Sequence, residues 1–226
     1  MFHVKQDLRL DDLISFLNTE KIVLNDHQIA QLSEYLLEIQ NRCRLLNLVS
    51  QGDVNFLVER HFLPSFYYLY YLLQDESNKT DIILDVGSGA GFPGIILSLC
   101  LKESRVFLLD SSRKKSLFLK ETIRKLGLTA KVINERAENL TAIYNNTFNI
   151  AVARAVADIP RLVSWVFPRL SHTGRLFVLK GSNYKSELKK YINELVVTEM
   201  KPRRSWIEFS SYLENKIMLK LEPKYA

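Results

Sequence analysis

The sequence predicts an α/β protein, a mostly parallel β-sheet covered by helices and preceded by a smaller helical cap. Two observations carry this. From residue 82 onward, short apolar runs suited to buried strands alternate with helical patterns, which implies a parallel sheet covered on both faces. Before residue 81 the apolar spacing is helical only. The chain of 226 residues is long enough for one α/β domain with a full core and a small addition. The change of pattern near Lys79-Thr80-Asp81 puts the cap over 1–80 and the α/β domain over 81–226.

In the cap, residues 10–17 and 62–73 read as helices. Asn25 is a good N-cap for a third, in which Ile29, Leu32, Leu36 and Ile39 recur at helical spacing. The first strand is Ile82-Ile83-Leu84-Asp85-Val86, and after a glycine loop a helix starts at Ile95. A strand at 105–110 follows, then a helix with Leu119, Ile123 and Leu126 on its core side, then a third strand over 131–134. A fourth strand covers 148–154, a helix 158–168, a strand 175–180 and a helix 185–195. Residues 217–221 close the sheet as its last strand.

Cys43 and Cys100 lie in unrelated helical patterns and give neither a disulfide framework nor metal-ligand spacing, which suits a reducing cytoplasm. The first residues lack the apolar region of a signal peptide, and the most apolar stretch, 62–73, is too short to span a bilayer. The charge is uneven. Residues 1–80 hold 7 Lys+Arg against 11 Asp+Glu, and residues 81–226 hold 24 against 14. The second part therefore favours an anionic partner, nucleic acid first, with plain solubility as the alternative.

The loop Gly87-Ser88-Gly89-Ala90-Gly91-Phe92-Pro93-Gly94 fits two templates. Gly89-x-Gly91-x-x-Gly94 satisfies the dinucleotide fingerprint, in which a pyrophosphate meets the helix N-terminus. Gly87-x-Gly89-x-Gly91 behind Asp85 fits an S-adenosylmethionine loop. The charge of Asp85 separates them: a carboxylate at the strand tip repels a pyrophosphate and suits a cationic amino group or sulfonium. Asp110, 23 residues after Gly87, ends the second strand where ribose hydroxyls are bound in α/β nucleoside sites, or else caps the next helix. Arg136-Ala137-Glu138 after the third strand is placed to hold an adenine, and the fourth strand delivers Arg154 to its carboxyl end.

Two basic clusters stand out. One lies on the helix bearing Arg113, Lys114, Lys115, Lys120, Arg124 and Lys125, where a solvated face is the ordinary explanation. The other gathers Lys180, Lys185, Lys189, Lys190, Lys201, Arg203 and Arg204 around the end of the fifth strand, as a face for RNA. The segment after the fourth strand, Ala153-Arg154-Ala155-Val156, lacks the Pro-Pro-aromatic loop used for exocyclic amines. Neither cysteine ends a strand, as carbon-5 methylation of a pyrimidine needs. A ring nitrogen such as guanine N7 carries an in-plane lone pair and needs only alignment.

Asn47-Leu48-Val49-Ser50, Arg60-His61-Phe62-Leu63, the glycine loop ending in Pro93-Gly94, Leu109-Asp110-Ser111 with Lys114, Arg136-Ala137-Glu138, Ala153-Arg154-Ala155 and Leu179-Lys180-Gly181 together resemble the glucose-inhibited division protein B family, the small-subunit rRNA methyltransferases G. The resemblance implies a Rossmann-like methyltransferase fold with a seven-stranded sheet. It also implies S-adenosylmethionine as cofactor and transfer to N7 of a guanine in the 530 loop of bacterial 16S rRNA. By the family pattern Gly87, Phe92, Ala137, Glu138 and Arg154 contact the cofactor, and Asp85, Gly89 and Asp110 join them from the loop reading. Arg60, His61, Lys180, Arg203 and Arg204 are the candidates for RNA, His61 equally a packed helix-end histidine, with the protein a cytoplasmic monomer acting on the small ribosomal subunit. A methyltransferase of another nucleic acid or a small molecule, and an NAD-binding oxidoreductase, are the alternatives. One departure is Pro64, where the family carries Asp, so any role of that carboxylate is missing here.

Overall fold

The computed structural model describes residues 3–74, 81–191 and 193–224. The expected boundary at Lys79-Thr80 lies outside them. The chain runs α1 (His3–Thr19), α2 (Asp26–Leu46), α3 (Leu63–Gln74), β1 (Ile82–Val86), α4 (Gly94–Cys100), β2 (Arg105–Leu109), α5 (Arg113–Leu126), β3 (Lys131–Ile133) and β4 (Phe148–Arg154). It continues through α6 (Ile159–Val166), β5 (Leu170–Lys180), α7 (Tyr184–Leu188), β6 (Leu195–Met200), α8 (Arg204–Phe209) and β7 (Ile217–Pro223). The sheet has seven strands in the order β3-β2-β1-β4-β5-β7-β6. The first five are parallel, and β7 is antiparallel to both neighbours.

Local chemistry starts these helices where the sequence places them. The Asn25 side chain accepts from the Gln28 N–H while the Gln28 side chain reaches back to the Asn25 N–H, a reciprocal cap. Ser112 caps α5 and Asp158 caps α6. One expectation fails. The helix foreseen over 185–195 stops at Leu188, a single tight turn Lys189–Tyr191 follows, and 195–200 is a strand. The β-branched run Val196-Val197-Thr198 favours that strand, but it lies on the sheet edge with only Leu195 buried, so it has no strong apolar pattern.

Side chains alternate across each strand and divide the core in two. Ile83, Val106, Leu108, Ile150, Val152 and Phe177 face α2–α5. Leu84, Val86, Leu109, Ala151, Ala153 and Val178 face α6 and α7. The first of these cores includes Tyr35 and Ile39 of α2 and Phe66 and Leu69 of α3, so the N-terminal helices share one continuous core with the sheet. Three tyrosines of α3 fasten them further. Tyr68 Oη donates to the Ala153 carbonyl (2.6 Å) and accepts from the Leu179 N–H (2.8 Å). Tyr67 and Tyr71 donate to the carbonyls of Met200 and Lys201. Beside them the buried Glu20 carboxylate accepts from Arg203, Ser205 and Trp206 Nε1.

Candidate active site

The glycine loop is bound from below by Asp85. On β1 that residue shares the face of Ile83, so its carboxylate points toward α4 and away from the mouth of the loop. Its Oδ2 accepts from the Gly94 N–H (3.0 Å), its Oδ1 has no hydrogen-bond partner, and the side chain is fully buried. Burial raises its pKa to about 7. Asp85, expected to receive a cationic cofactor group, is here the fastener of the loop. A Cβ at position 94 would lie 2.5 Å from Asp85 Oδ2, so glycine is needed for that closeness.

Asp110 holds the loop from the side. Its Oδ2 accepts from the Gly89 N–H and its Oδ1 from the Ser112 N–H, both at 2.8 Å. Ser112, not Asp110, caps α5. Asp110 then lines an open cleft with Gly87, Ser111, Ala137, Glu138, Val156 and Trp165. The cleft has a volume of about 240 Å³ and opens to solvent, a little under the ~300–1,000 Å³ range of small-molecule sites. It lies outside the carboxyl ends of β1, β2 and β4, beside the point where the strand order reverses. Gly87 has φ +67° and a Cβ there would meet Val156 Cγ2 at 2.6 Å, so backbone alone forms this wall.

The cleft brings Gly87, Asp110, Ala137 and Glu138 together, with Gly89 held to Asp110 at its edge. Phe92 is elsewhere. Its ring is buried against Tyr35, His61 and Phe62, with centroids 5.2–5.3 Å apart, and plugs the loop into the N-terminal helices. Tyr35 Oη donates to the Ala90 carbonyl (2.8 Å) from the same side. Val156, Ser111 and Trp165 were missed in the sequence. The first two adjoin residues already singled out, but Trp165 on α6 gives no signal until the chain is folded.

Arg154 also departs from expectation. On β4 it shares the face of Ile150 and Val152, the face of the N-terminal helices. Its Nη1 donates to the Arg60 carbonyl (2.8 Å), and its Nη2 donates to His61 Nδ1 (2.7 Å). The guanidinium carbon lies 5.5 Å from the centre of the Phe92 ring. Glu138 pairs with Arg136. Pro64 explains why the Arg60 carbonyl is available. An α-helix would close that carbonyl against the N–H of residue 64, and proline has none. The chain from Val58 to Phe62 is accordingly a single wide π-turn leading into α3.

His61 must accept at Nδ1, so its proton sits on Nε2, which lies 3.4 Å from Asp53 Oδ2. Burial first, and the Arg154 charge next, lower its pKa to about 4. The ring is buried and does not present itself to RNA. Lys180 is likewise engaged internally: Nζ donates to the Ala157 carbonyl (2.9 Å) and pairs with Glu187 (2.7 Å). It alternates with Leu179 and so points to the α7 face, where Glu187 stands. Arg203 binds Glu20 and Tyr70 of the N-terminal helices. Of the five RNA candidates, Arg204 projects furthest, 91% exposed and paired within its helix to Glu208, and Arg60 remains part-open beside Asp53.

The family model for rRNA small subunit methyltransferase G matches residues 28–208. The chain belongs to that family. A relative of that name from Prochlorococcus marinus (strain NATL2A) is 38% identical over 191 residues, covering 79% of this chain and 74% of the relative. Another, from Thermotoga neapolitana, is 34% identical over 199 residues, with 86% and 84% covered. Among solved structures, the chain is similar to an rRNA methylase from Streptococcus thermophilus, with a TM-score of 0.53, 16% identity and 71% and 97% coverage. It is also similar to a SAM dependent methyltransferase from Aquifex aeolicus, with a TM-score of 0.53, 16% identity and 73% and 91% coverage. The fold is thus the Rossmann-like one of S-adenosylmethionine-dependent methyltransferases. Among the described residues no helix is long and apolar enough to cross a membrane.

Proposed function

We infer that this chain is an S-adenosylmethionine-dependent rRNA methyltransferase, and we propose N7 of a guanine in the 530 loop of bacterial 16S rRNA as its target. Family membership supports the reaction class, and the family resemblance supports the target atom. The observation that carries the reading is the cleft that gathers Gly87, Asp110, Ala137 and Glu138 around a side-chain-free wall. When bound, S-adenosylmethionine supplies an electrophilic methyl group, which the N7 lone pair takes up as the carbon–sulfur bond breaks with its electrons on sulfur.

The residues fit such a group. Gly87 and Gly89 leave room for its amino acid part. Asp110, with two lone-pair sites in use on backbone N–H groups, has capacity left for ribose hydroxyls. Ala137 is small enough to lie under a purine, and Glu138 adds an acceptor at its edge. No general base is needed, because neutral guanine N7 carries no proton. Nor is a cysteine nucleophile in reach of this cleft: Cys43 is buried in α2, and burial pushes the Cys100 thiol up to about 12. Catalysis is alignment of nucleophile, methyl and sulfur.

The protein acts as a monomer on the small ribosomal subunit in the cytoplasm. The deciding experiment is methylation of small-subunit particles from a strain lacking the enzyme, followed by mapping of the modified base. A methyl group at N7 of a 530-loop guanine is the expected result, and a methyl group elsewhere overturns the target.

A further inference from the structure

A second cleft opens on the other side of the β4 tip. It is lined by Phe56, Glu59, Arg60, Ser210, Ser211 and Tyr212 and encloses about 780 Å³ with its mouth. Its place follows from the topology. Ile217 at the start of β7 pairs with Lys180 at the end of β5, so the turn Ser211–Leu213 just before β7 lies at the carboxyl edge of the sheet. Arg154 at the end of β4 binds the Arg60 carbonyl, and Arg60 lines this second cleft. Two residues later, Val156 lines the cofactor cleft. Residues 154–156 therefore run from the contact with Arg60, which lines the second cleft, to the edge of the cofactor cleft, turned by Ala155 in the left-handed region at φ +55°.

The lining has the chemistry of an unstacked nucleotide site. Phe56 is 41% exposed, unusual for a phenylalanine, and the Arg60 guanidinium lies 4.3 Å from its ring centre. Tyr212 carries the Lys216 ammonium 5.0 Å from its ring centre. Aromatic rings and guanidinium planes are the surfaces on which splayed-out RNA bases stack, and adjacent cations suit the flanking phosphates. Glu59 stands beside them in the lining, paired with Arg9.

We propose that this cleft, between Phe56-Arg60 and Tyr212, receives the target guanine nucleotide, stacked on the aromatic side chains with N7 turned toward the β4 tip. This rests on the reading of the chain as an rRNA methyltransferase. The test uses the full chain saturated with S-adenosylhomocysteine, which fills the cofactor cleft, and titrates guanosine 5′-monophosphate. Phe56→Leu and Tyr212→Leu should each weaken nucleotide binding at least about fivefold, the lower end of what stacking one base on one ring contributes. S-adenosylhomocysteine affinity, measured on the same samples, should not change and certifies the fold of each variant. In methylation of rRNA both variants should lose at least about fivefold in kcat/KM. Nucleotide binding that is absent in the parent protein, or equal in parent and variants, overturns the site. A parent protein that binds the nucleotide but methylates no rRNA overturns the proposed function and leaves the site standing.

Discussion

The guanidinium of Arg154 is held 2.7 Å from His61 Nδ1, so the tip of the central strand β4 and the π-turn of the N-terminal helices form one unit. A residue read as a cofactor ligand is, in this structure, the fastening between two parts of the site. His61→Leu removes the acceptor of a charge-assisted bond and should lower stability by about 1.5–3 kcal/mol. His61→Asn, whose side-chain oxygen can take the place of Nδ1, should lose less than half of that. Denaturant unfolding of the two variants checks it, and equal losses would mean that Arg154 gains nothing from this bond.

The same pair sets a pH dependence. His61 has its pKa lowered to about 4, against about 6.5 unfolded. Its folded form thus binds fewer protons over that window, and its contribution, complete above pH ~6.5, is lost as pH falls toward 4, by roughly 3 kcal/mol at most. Asp85, raised to about 7 by burial, works in the opposite sense: its unfavourable ionisation destabilises the fold as pH rises toward 7. The difference in unfolding free energy between the parent and His61→Asn isolates the histidine. It should grow with pH from 4 to 6.5, and a flat difference would remove His61 from the account.

Gly87→Ala should abolish S-adenosylmethionine binding. Its φ of +67° disfavours any side chain, and the new Cβ would lie 2.6 Å from Val156 Cγ2. Adding Val156→Gly removes the clash but not the backbone strain, so calorimetry should recover part of the affinity in the double variant. Full binding by Gly87→Ala alone would place the cofactor elsewhere.

Glu20→Ala leaves the buried Trp206 Nε1–H without an acceptor. An unsatisfied buried donor costs about 1–3 kcal/mol. Thermal unfolding should move down accordingly, while S-adenosylhomocysteine binding to the folded protein stays at its parent value.

Arg204 and Lys180, both basic and both near the end of the sheet, should separate in RNA binding. Arg204→Ala removes one cation from the phosphates and should flatten the plot of log affinity against log salt by ~0.7–0.9. Lys180→Met breaks the internal pair with Glu187 and should lower stability while leaving that slope unchanged. A flattened slope for Lys180→Met would show that the internal pair opens to meet RNA.

By itself the sequence determined the sheet, the glycine loop and the acids that follow its strands, because each is a local pattern. Buried strands are apolar runs, a tight loop needs glycine, and a cap such as Asn25 acts within three residues. It also marked Gly87, Asp110, Ala137 and Glu138, which stand next to strand ends and so reach the carboxyl edge of any such sheet. The edge strand β6 escaped because one buried residue and an exposed face leave too little pattern. Only the tertiary structure decided which face each strand-end side chain takes and what waits there. Period-two alternation sends Asp85 beneath the loop, Arg154 to the N-terminal helices and Lys180 to α7. Their partners, Gly94, His61 and Glu187, are 9, 93 and 7 residues away in the chain. Asp85 and Lys180 turn to partners in the next loop and helix, whereas the partner of Arg154 comes from an element distant in sequence, which no local pattern encodes.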